Sequence, residues 1–244
     1  MDKSNPVLPE LTPKRISVLL SVALLLILLF LFVKPNRGGK RGIVDTYPKE
    51  EYLTISPYDS LFRVYADTLF DWKMIAAIAY VESRFDANSI SYRGAKGLMQ
   101  LMPATFREIV GEEEYNDSLC YDVERNIEAS VKYLKRLDEL FGFIDMPERL
   151  NYILGSYNGG SNHIFDAMRI ARSKGVNRYR WSSLVDVLSK LDEEEYYTDS
   201  LCRFGGFDAT ETILYVDRVQ DLYKQYKSRE LLFKVANRLM ENQK

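Results

Sequence analysis

The pattern of apolar and polar positions divides the chain into three stretches. Residues 16–33 read ISVLLSVALLLILLFLFV, an uncharged apolar run with two serines, long enough to cross a bilayer as one helix. Residues 34–56 follow, rich in Lys, Arg, Gly, Pro and Tyr and without a sustained apolar period, which predicts a linker. From residue 57 the apolar positions recur at helical spacing. Pro57 suits the first turn of a helix carrying Leu61, Val64, Tyr65 and Leu69, and Asp71 then stands as N-cap of a second, WKMIAAIAYVES. Residues 88–96 are polar and predict a loop, after which Pro103 opens a short helix that Gly111 stops. Ile127, Val131, Leu134, Leu137 and Phe141 make one face of a helix closed by Gly142, and Leu150, Ile153, Leu154 and Tyr157 align before Gly159 and Gly160. Shorter helices fit 161–173 and 182–191, and longer patterns run over 208–226 and 231–240. Alternating β patterns are scarce. The expected fold is therefore mainly α, one globule of roughly eight helices, with the acidic run at 192–195 as a solvated loop.

Charge and composition narrow the chemistry. Residues 1–41 carry a balance of +5 and residues 42–244 one of −7, and nothing there suggests a nucleic-acid surface. The single histidine, His163, and the two cysteines, Cys120 and Cys202, cannot assemble an HExxH or paired-CxxC zinc site. Carboxylates and tyrosines remain as reactive groups, and neither a metal nor a cofactor is called for. Lys14 and Arg15 before the apolar run favour a cytoplasmic N-terminus, whereas Lys34, Arg37, Lys40 and Arg41 after it favour the reverse. An uncleaved signal anchor and a cleaved signal peptide are both readings of this segment. The run exceeds the usual apolar core of a signal peptide, and Phe32, Val33 and Lys34 stand where a small-residue cleavage site would lie, which favours the anchor.

Glu82 is the most informative residue. Helical steps back from it reach Ala79, Ile78 and Ile75, so its carboxyl shares the inward stripe. Desolvation there would keep it protonated near neutral pH and make it a proton donor. The plainer reading is a glutamate that ends an amphipathic helix and turns to solvent.

Four segments in order then resemble one family. ESRFDANSISYRGAKGLMQLMPATF (residues 82–106) is similar to the signature of lytic transglycosylases with the soluble lytic transglycosylase (SLT) catalytic domain, glycoside hydrolase family 23; NIEASVKYLKRL from Asn126, GSYNGG from Gly155 and ETILYV from Glu211 agree with it. The resemblance covers about residues 57–226 and implies a lysozyme-like α-helical catalytic domain. It also implies cleavage of the N-acetylmuramic acid to N-acetylglucosamine bond of peptidoglycan, leaving 1,6-anhydro ends. Glu82 matches the catalytic acid and base. Ser91 matches a serine near the substrate's N-acetyl group; Gln100 and Met102 fall in the element lining the cleft floor, with Gly97 letting backbone approach Glu82. Tyr157 and Asn158 match the Ala-Tyr-Asn element, Ser156 replacing its alanine, and Glu211 and Tyr215 match the last element bordering the site.

Most of these residues have a structural alternative. Ser91 is also an ordinary turn serine; Leu98, Met99 and Met102 also suit core filling. Tyr157 extends an apolar stripe, and Glu211 has capping-box spacing from Asp208. His163 reads as a surface or cleft-wall residue, and Asp86 as part of a helix-ending turn. Hydrolytic glycosidases use two carboxyl groups, and this chain offers one convincing acid. The family solution fits: Glu82 protonates the leaving oxygen, then takes the proton from the same sugar's C6 hydroxyl as it attacks C1, with Ser91 and Tyr157 holding the 2-acetamido group. A goose-type muramidase on the same fold, with water attacking, and a non-catalytic peptidoglycan-binding scaffold are the alternatives. The substrate lies outside the cytoplasmic membrane. The expected order is therefore a cytoplasmic tail (1–15), a membrane anchor (16–33), a linker (34–56) that contacts lipid headgroups through its basic residues, and an extracytoplasmic catalytic domain (57–244). Peptidoglycan strands and the membrane are the partners implied, no nucleic acid is, and no segment names a protein partner. In an oxidising compartment, a Cys120–Cys202 bridge stays open.

Overall fold

The computed structural model describes residues 53–241, and the apolar run at 16–33 lies outside them. Among the described residues no helix is long and apolar enough to cross a membrane. Nine α-helices follow one another there: α1 (Asp59–Tyr65), α2 (Trp72–Ser83), α3 (Pro103–Val110), α4 (Val123–Leu140), α5 (Glu148–Gly159), α6 (Ser161–Ser173), α7 (Trp181–Leu188), α8 (Glu194–Tyr197) and α9 (Thr210–Glu241). A 3-10 turn, Asp117–Tyr121, joins α3 to α4, and isolated bridges between Ile90, Lys96 and Leu101 are the β pairing among the described residues.

Helix α2 is the centre. Every residue from Lys73 to Ala79 is buried, so the helix has no solvent face in its middle, and three alanines allow neighbours to approach closely. Its start is fixed by Asp71, whose carboxylate accepts the Lys73 N–H at 2.7 Å and the Tyr223 hydroxyl at 2.7 Å. One side chain thus caps α2 and ties it to α9. Helix α9 also lies along α5; α5 packs between α4 and α6, α7 on α6, and α1 across α2 and α4. A second, smaller cluster of Leu101, Phe106, Cys120 and Ala129 fills the space between α3, the 3-10 turn and α4.

Four differences from the sequence expectation have physical causes. The chain is already held at 55–56, where Asp59 accepts the Ile55 N–H at 2.8 Å and the Ser56 N–H at 2.9 Å. Helix α1 buries Phe62 and leaves Val64 exposed, so its inward side is one step from the one expected. The patterns at 208–226 and 231–240 belong to one continuous helix: nothing between them breaks a helix, and what changes is which side is apolar. The acidic run also contains a helical turn, α8, because Tyr196 at its end is buried and holds the backbone against the core.

Ser156, in the middle of α5, is fully buried and its hydroxyl has no hydrogen-bond partner. A buried unpaired hydroxyl costs stability, and alanine is the better helix former. Ser156→Ala is expected to keep the fold and raise Tm by about 3 °C, equivalent to roughly 1 kcal/mol in a domain of this size. A lower Tm by calorimetry would contradict this account.

Candidate active site

Glu82 lies in the last turn of α2, and the chain leaves that turn abruptly. Arg84 and Phe85 both adopt left-handed backbone, φ 55° and 67°. Side chains rarely do so, and two in succession need support from tertiary contacts. Arg84 closes the helix through its N–H to the Tyr80 carbonyl at 2.9 Å, and the Phe85 ring packs edge-on to Tyr80 and against Phe62. Between them and Glu82, the Ser83 hydroxyl donates to the Leu98 carbonyl at 2.7 Å and approaches the Ala79 carbonyl at 3.2 Å. The carboxyl-bearing turn is thereby tied to the following loop.

That loop is held from below by one buried side chain. Asn126, in the first turn of α4, accepts the Met99 N–H at 2.7 Å and donates to the Cys120 carbonyl at 2.9 Å and the Lys96 carbonyl at 3.3 Å. Gly97 has φ 80°, and a Cβ there would stand 2.0 Å from the Cys120 carbonyl and 2.6 Å from the Asn126 amide. The close approach that this glycine permits is therefore to Asn126 and the 3-10 turn. Gln100 is also left-handed, φ 51°, and its amide donates to the Gly97 carbonyl at 2.8 Å and the Ser89 carbonyl at 3.0 Å. Leu98 and Met99 are buried, while Met102 is exposed just before Pro103. Ser91 sits half-buried in a turn of its own, accepting the Ala95 N–H on its hydroxyl at 3.0 Å. The hydroxyl hydrogen of Ser91 is not used in that bond.

Two tyrosines complete the surroundings of Glu82. Tyr157, near the end of α5, donates its hydroxyl to the Met99 carbonyl at 2.8 Å and lies against Tyr133. Tyr215, one turn into α9, is buried and its hydroxyl has no partner of normal hydrogen-bond geometry, although it adjoins the Glu82 carboxyl. Glu82 keeps some solvent contact as a residue, yet protein crowds its carboxyl. Desolvation pushes that carboxyl up to about 8, opposed only by the Tyr215 hydroxyl. Burial, and next the proximity of Glu82, hold both phenols well above their ordinary range. No other carboxylate among the described residues bears on Glu82. The arrangement offers one neutral acid, able to give a proton at neutral pH.

The structure thus brings Glu82, Tyr157 and Tyr215 together, with Gly97 and Gln100 shaping the loop beneath. Asn158 accepts the hydroxyl of buried Thr212 at 2.8 Å, joining α5 to α9. Glu211 is 79% exposed on its side chain and stands 3.8 Å from Arg218. Its capping box does not form: α9 begins at Thr210, and Asp208 accepts the Thr210 N–H at 2.9 Å. His163 stacks on Phe207, centroids 4.2 Å apart, and burial lowers its pKa. Asp86 accepts the Asn88 N–H at 2.9 Å in the turn after α2. The two cysteines are free: Cys120 lies buried beneath the Gly97 loop, and the Cys202 thiol faces Asp166 at 3.6 Å. Sequence reasoning assigned no role to Asn126 or Ser83. A signal existed for the first, since Asn126 and Ser130 continue the side of α4 that carries Tyr133 and Leu137, where polar residues are out of place.

Residues 65–179 match the family described as the transglycosylase SLT domain. This stretch is a transglycosylase SLT domain. It is 40% identical over 190 residues to the membrane-bound lytic murein transglycosylase F of Desulfosudis oleivorans, covering 76% of this chain and 40% of that one. The protein of the same name from Shewanella woodyi is 35% identical over 189 residues, 77% of this chain and 36% of that one. The chain spans about two fifths of the length of these relatives. Among solved structures, the 70 kDa soluble lytic transglycosylase of Escherichia coli superposes with a TM-score of 0.52 at 24% identity, over 73% of this chain and 25% of that one. The SLT domain here therefore has the mainly helical, lysozyme-like fold expected of it.

Proton linkage follows from the buried acid. Glu82 is raised from 4.5 to about 8, so between those values the folded state holds a proton that the unfolded chain has released. Its stabilising contribution is complete below about pH 4.5 and is lost as pH rises towards 8. Glu82→Gln, neutral throughout, is expected to match the parent at pH 5 and exceed it at pH 8.5 by a few kcal/mol, at about 1.4 kcal/mol per pH unit traversed. Urea unfolding at both pH values measures this, and parallel curves for the two proteins would refute it.

Proposed function

We propose that this chain is a membrane-tethered peptidoglycan lytic transglycosylase in which Glu82 is the catalytic residue, acting first as acid and then as base. The observation that carries the reading is the solitary carboxyl at the end of α2, crowded by protein and beside the Tyr215 hydroxyl, where desolvation pushes it up to about 8. Glu82 protonates the glycosidic oxygen between muramic acid and glucosamine residues as the C1–O bond breaks. The carboxylate so formed takes the proton of the C6 hydroxyl on the muramic acid residue, whose oxygen closes on C1 to give the 1,6-anhydro sugar. The nucleophile belongs to the substrate, so positioning stands in for a second carboxylate. In this reading the Tyr215 hydroxyl steadies the ionised form of Glu82, and Tyr157 holds the Met99 carbonyl in place at the cleft floor. Ser91, with its hydroxyl hydrogen uncommitted, takes the substrate's acetamido carbonyl. Gln100, Gly97 and Asn158 keep the walls in place, while Met102 and Glu211 line the outer cleft. The domain order stays as read from the sequence, with residues 16–33 as the anchor and the SLT domain on the extracytoplasmic side. The relatives' name, membrane-bound lytic murein transglycosylase, supports both halves of the reading.

On purified sacculi, Glu82→Gln is expected to lower muropeptide release by about 10²–10⁴-fold. Mass spectrometry of the parent's products should find anhydro ends; reducing ends would assign hydrolysis instead, and full release by the variant would remove Glu82 from catalysis. Activity should fall above about pH 8 as the acid form is lost. A reporter fused to the C-terminus should be active only outside the cytoplasm, and activity inside would reverse the topology.

A further inference from the structure

Helix α9 changes character along its 32 residues. In its first half the apolar residues face the core: Tyr215, Val216 and Val219 are buried, and Tyr226 packs against them. From residue 231 they face outward, with Leu231 63%, Leu232 46%, Val235 47% and Leu239 53% exposed. At 3.6 residues per turn these four side chains fall within an arc of about 100°, roughly half a turn away from the one carrying Val219 and Tyr226. Phe233, Ala236 and Asn237, on the domain side, are less exposed. The result is an apolar stripe about 12 Å long on a helix that has run past its own core.

Charge and chain path indicate what covers it. By the same geometry Lys227 and Arg238 border one edge of the stripe and Arg229 the other. The carboxylate Glu230 points to the domain side, where Lys73 takes it at 2.7 Å. An apolar stripe with basic margins and its acid turned inward matches a membrane surface carrying anionic headgroups. The root of this extension also lies beside the first of the described residues. Leu53 and Ile55 line a small cavity together with Trp72, Tyr226, Arg229 and Glu230. The apolar run ends at Val33, so the intervening residues 34–52, about 65 Å when fully extended, keep that root within reach of the bilayer the run would occupy.

We propose that residues 227–239 form an interfacial helix, Leu231, Leu232, Val235 and Leu239 entering the headgroup boundary of an anionic phospholipid bilayer while Lys227, Arg229 and Arg238 meet its phosphates. The inference rests on the reading of residues 16–33 as a membrane tether. The tether limits how far the SLT domain strays, and the helix fixes which way its cleft faces. A helix end with one side open to solvent and few tertiary contacts should exchange its amides faster in the absence of a surface.

Hydrogen exchange by mass spectrometry on the full chain tests this, in nanodiscs of phosphatidylglycerol with phosphatidylcholine, nanodiscs of phosphatidylcholine alone, and detergent. Amides of 229–239 are expected to exchange about ten-fold slower in the anionic discs only, and the combined Leu231→Ser, Leu232→Ser, Val235→Ser and Leu239→Ser variant to lose that protection with an unchanged Tm. These four side chains are exposed, so the variant should fold. Protection that is equal in detergent or neutral discs, or that grows with protein concentration, would assign the stripe to another part of the chain or a second copy and overturn the proposal. A chain that enters the discs without protection at 229–239 refutes the interfacial helix alone. One that does not enter them refutes the tether as well.

Discussion

The desolvation of one carboxyl at the end of a helix buried on every side is the constraint on which the rest depends. Helix α2 has no solvent face in its middle, so helices from both ends of the folded chain must surround it. Its two ends are treated oppositely. Asp71 at the start has its carboxylate satisfied by backbone N–H groups and the Tyr223 hydroxyl. Glu82 at the finish faces two phenols in a site too dry to favour its charge. The same element thus carries an acid chosen for stability and an acid whose environment works against ionisation, as a proton donor requires.

Such a site needs a floor that does not yield. The floor here is irregular backbone, the loop at 97–101, and irregular backbone must find its hydrogen bonds outside regular structure. Asn126 and Gln100 supply them, Ser83 binds the loop to the turn carrying Glu82, and Tyr157 binds its far side to α5. Left-handed backbone concentrates strain at Arg84 and Phe85, directly after the acid, and at Gln100 in the loop tied to its turn. The close packing at Gly97 and the contacts of the Phe85 ring with buried Phe62 and with Tyr80 hold that strain in place.

Charge is distributed to match. Residues 42–244 are acidic as a whole, but residues 34–41 hold four basic residues and no acid, and residues 224–238 of α9 hold five basic residues against one acid, Glu230. These are also the parts that the proposed topology puts nearest a membrane. The cleft and the proposed membrane contact would then make separate demands on a single helix: α9 gives Tyr215 to the acid in its first half and has an outward apolar stripe in its second.

Much of this was legible from the sequence because it is local. Asp71 as a cap, the helix ending at Glu82, the proline-led start of α3 and the glycine at position 97 each follow from the conformational limits of a few neighbouring residues. The inward stripe even indicated that Glu82 would be deprived of water. What the sequence did not disclose depends on surfaces that meet across long separations. Asn126 reads as an ordinary polar residue until the loop thirty positions earlier lies over it, and Gly97 shows a need for closeness without naming the partner. Helix α9 reads as two helices because its apolar period changes phase, and only packing tells that one side covers a core while the other covers nothing within the domain. The two cysteines are free because Cys120 lies beneath the Gly97 loop and Cys202 against Asp166. Periodicity and capping are properties of the chain; desolvation, and the partner of each buried polar atom, are properties of the assembled neighbourhood, which exists only once distant segments have packed.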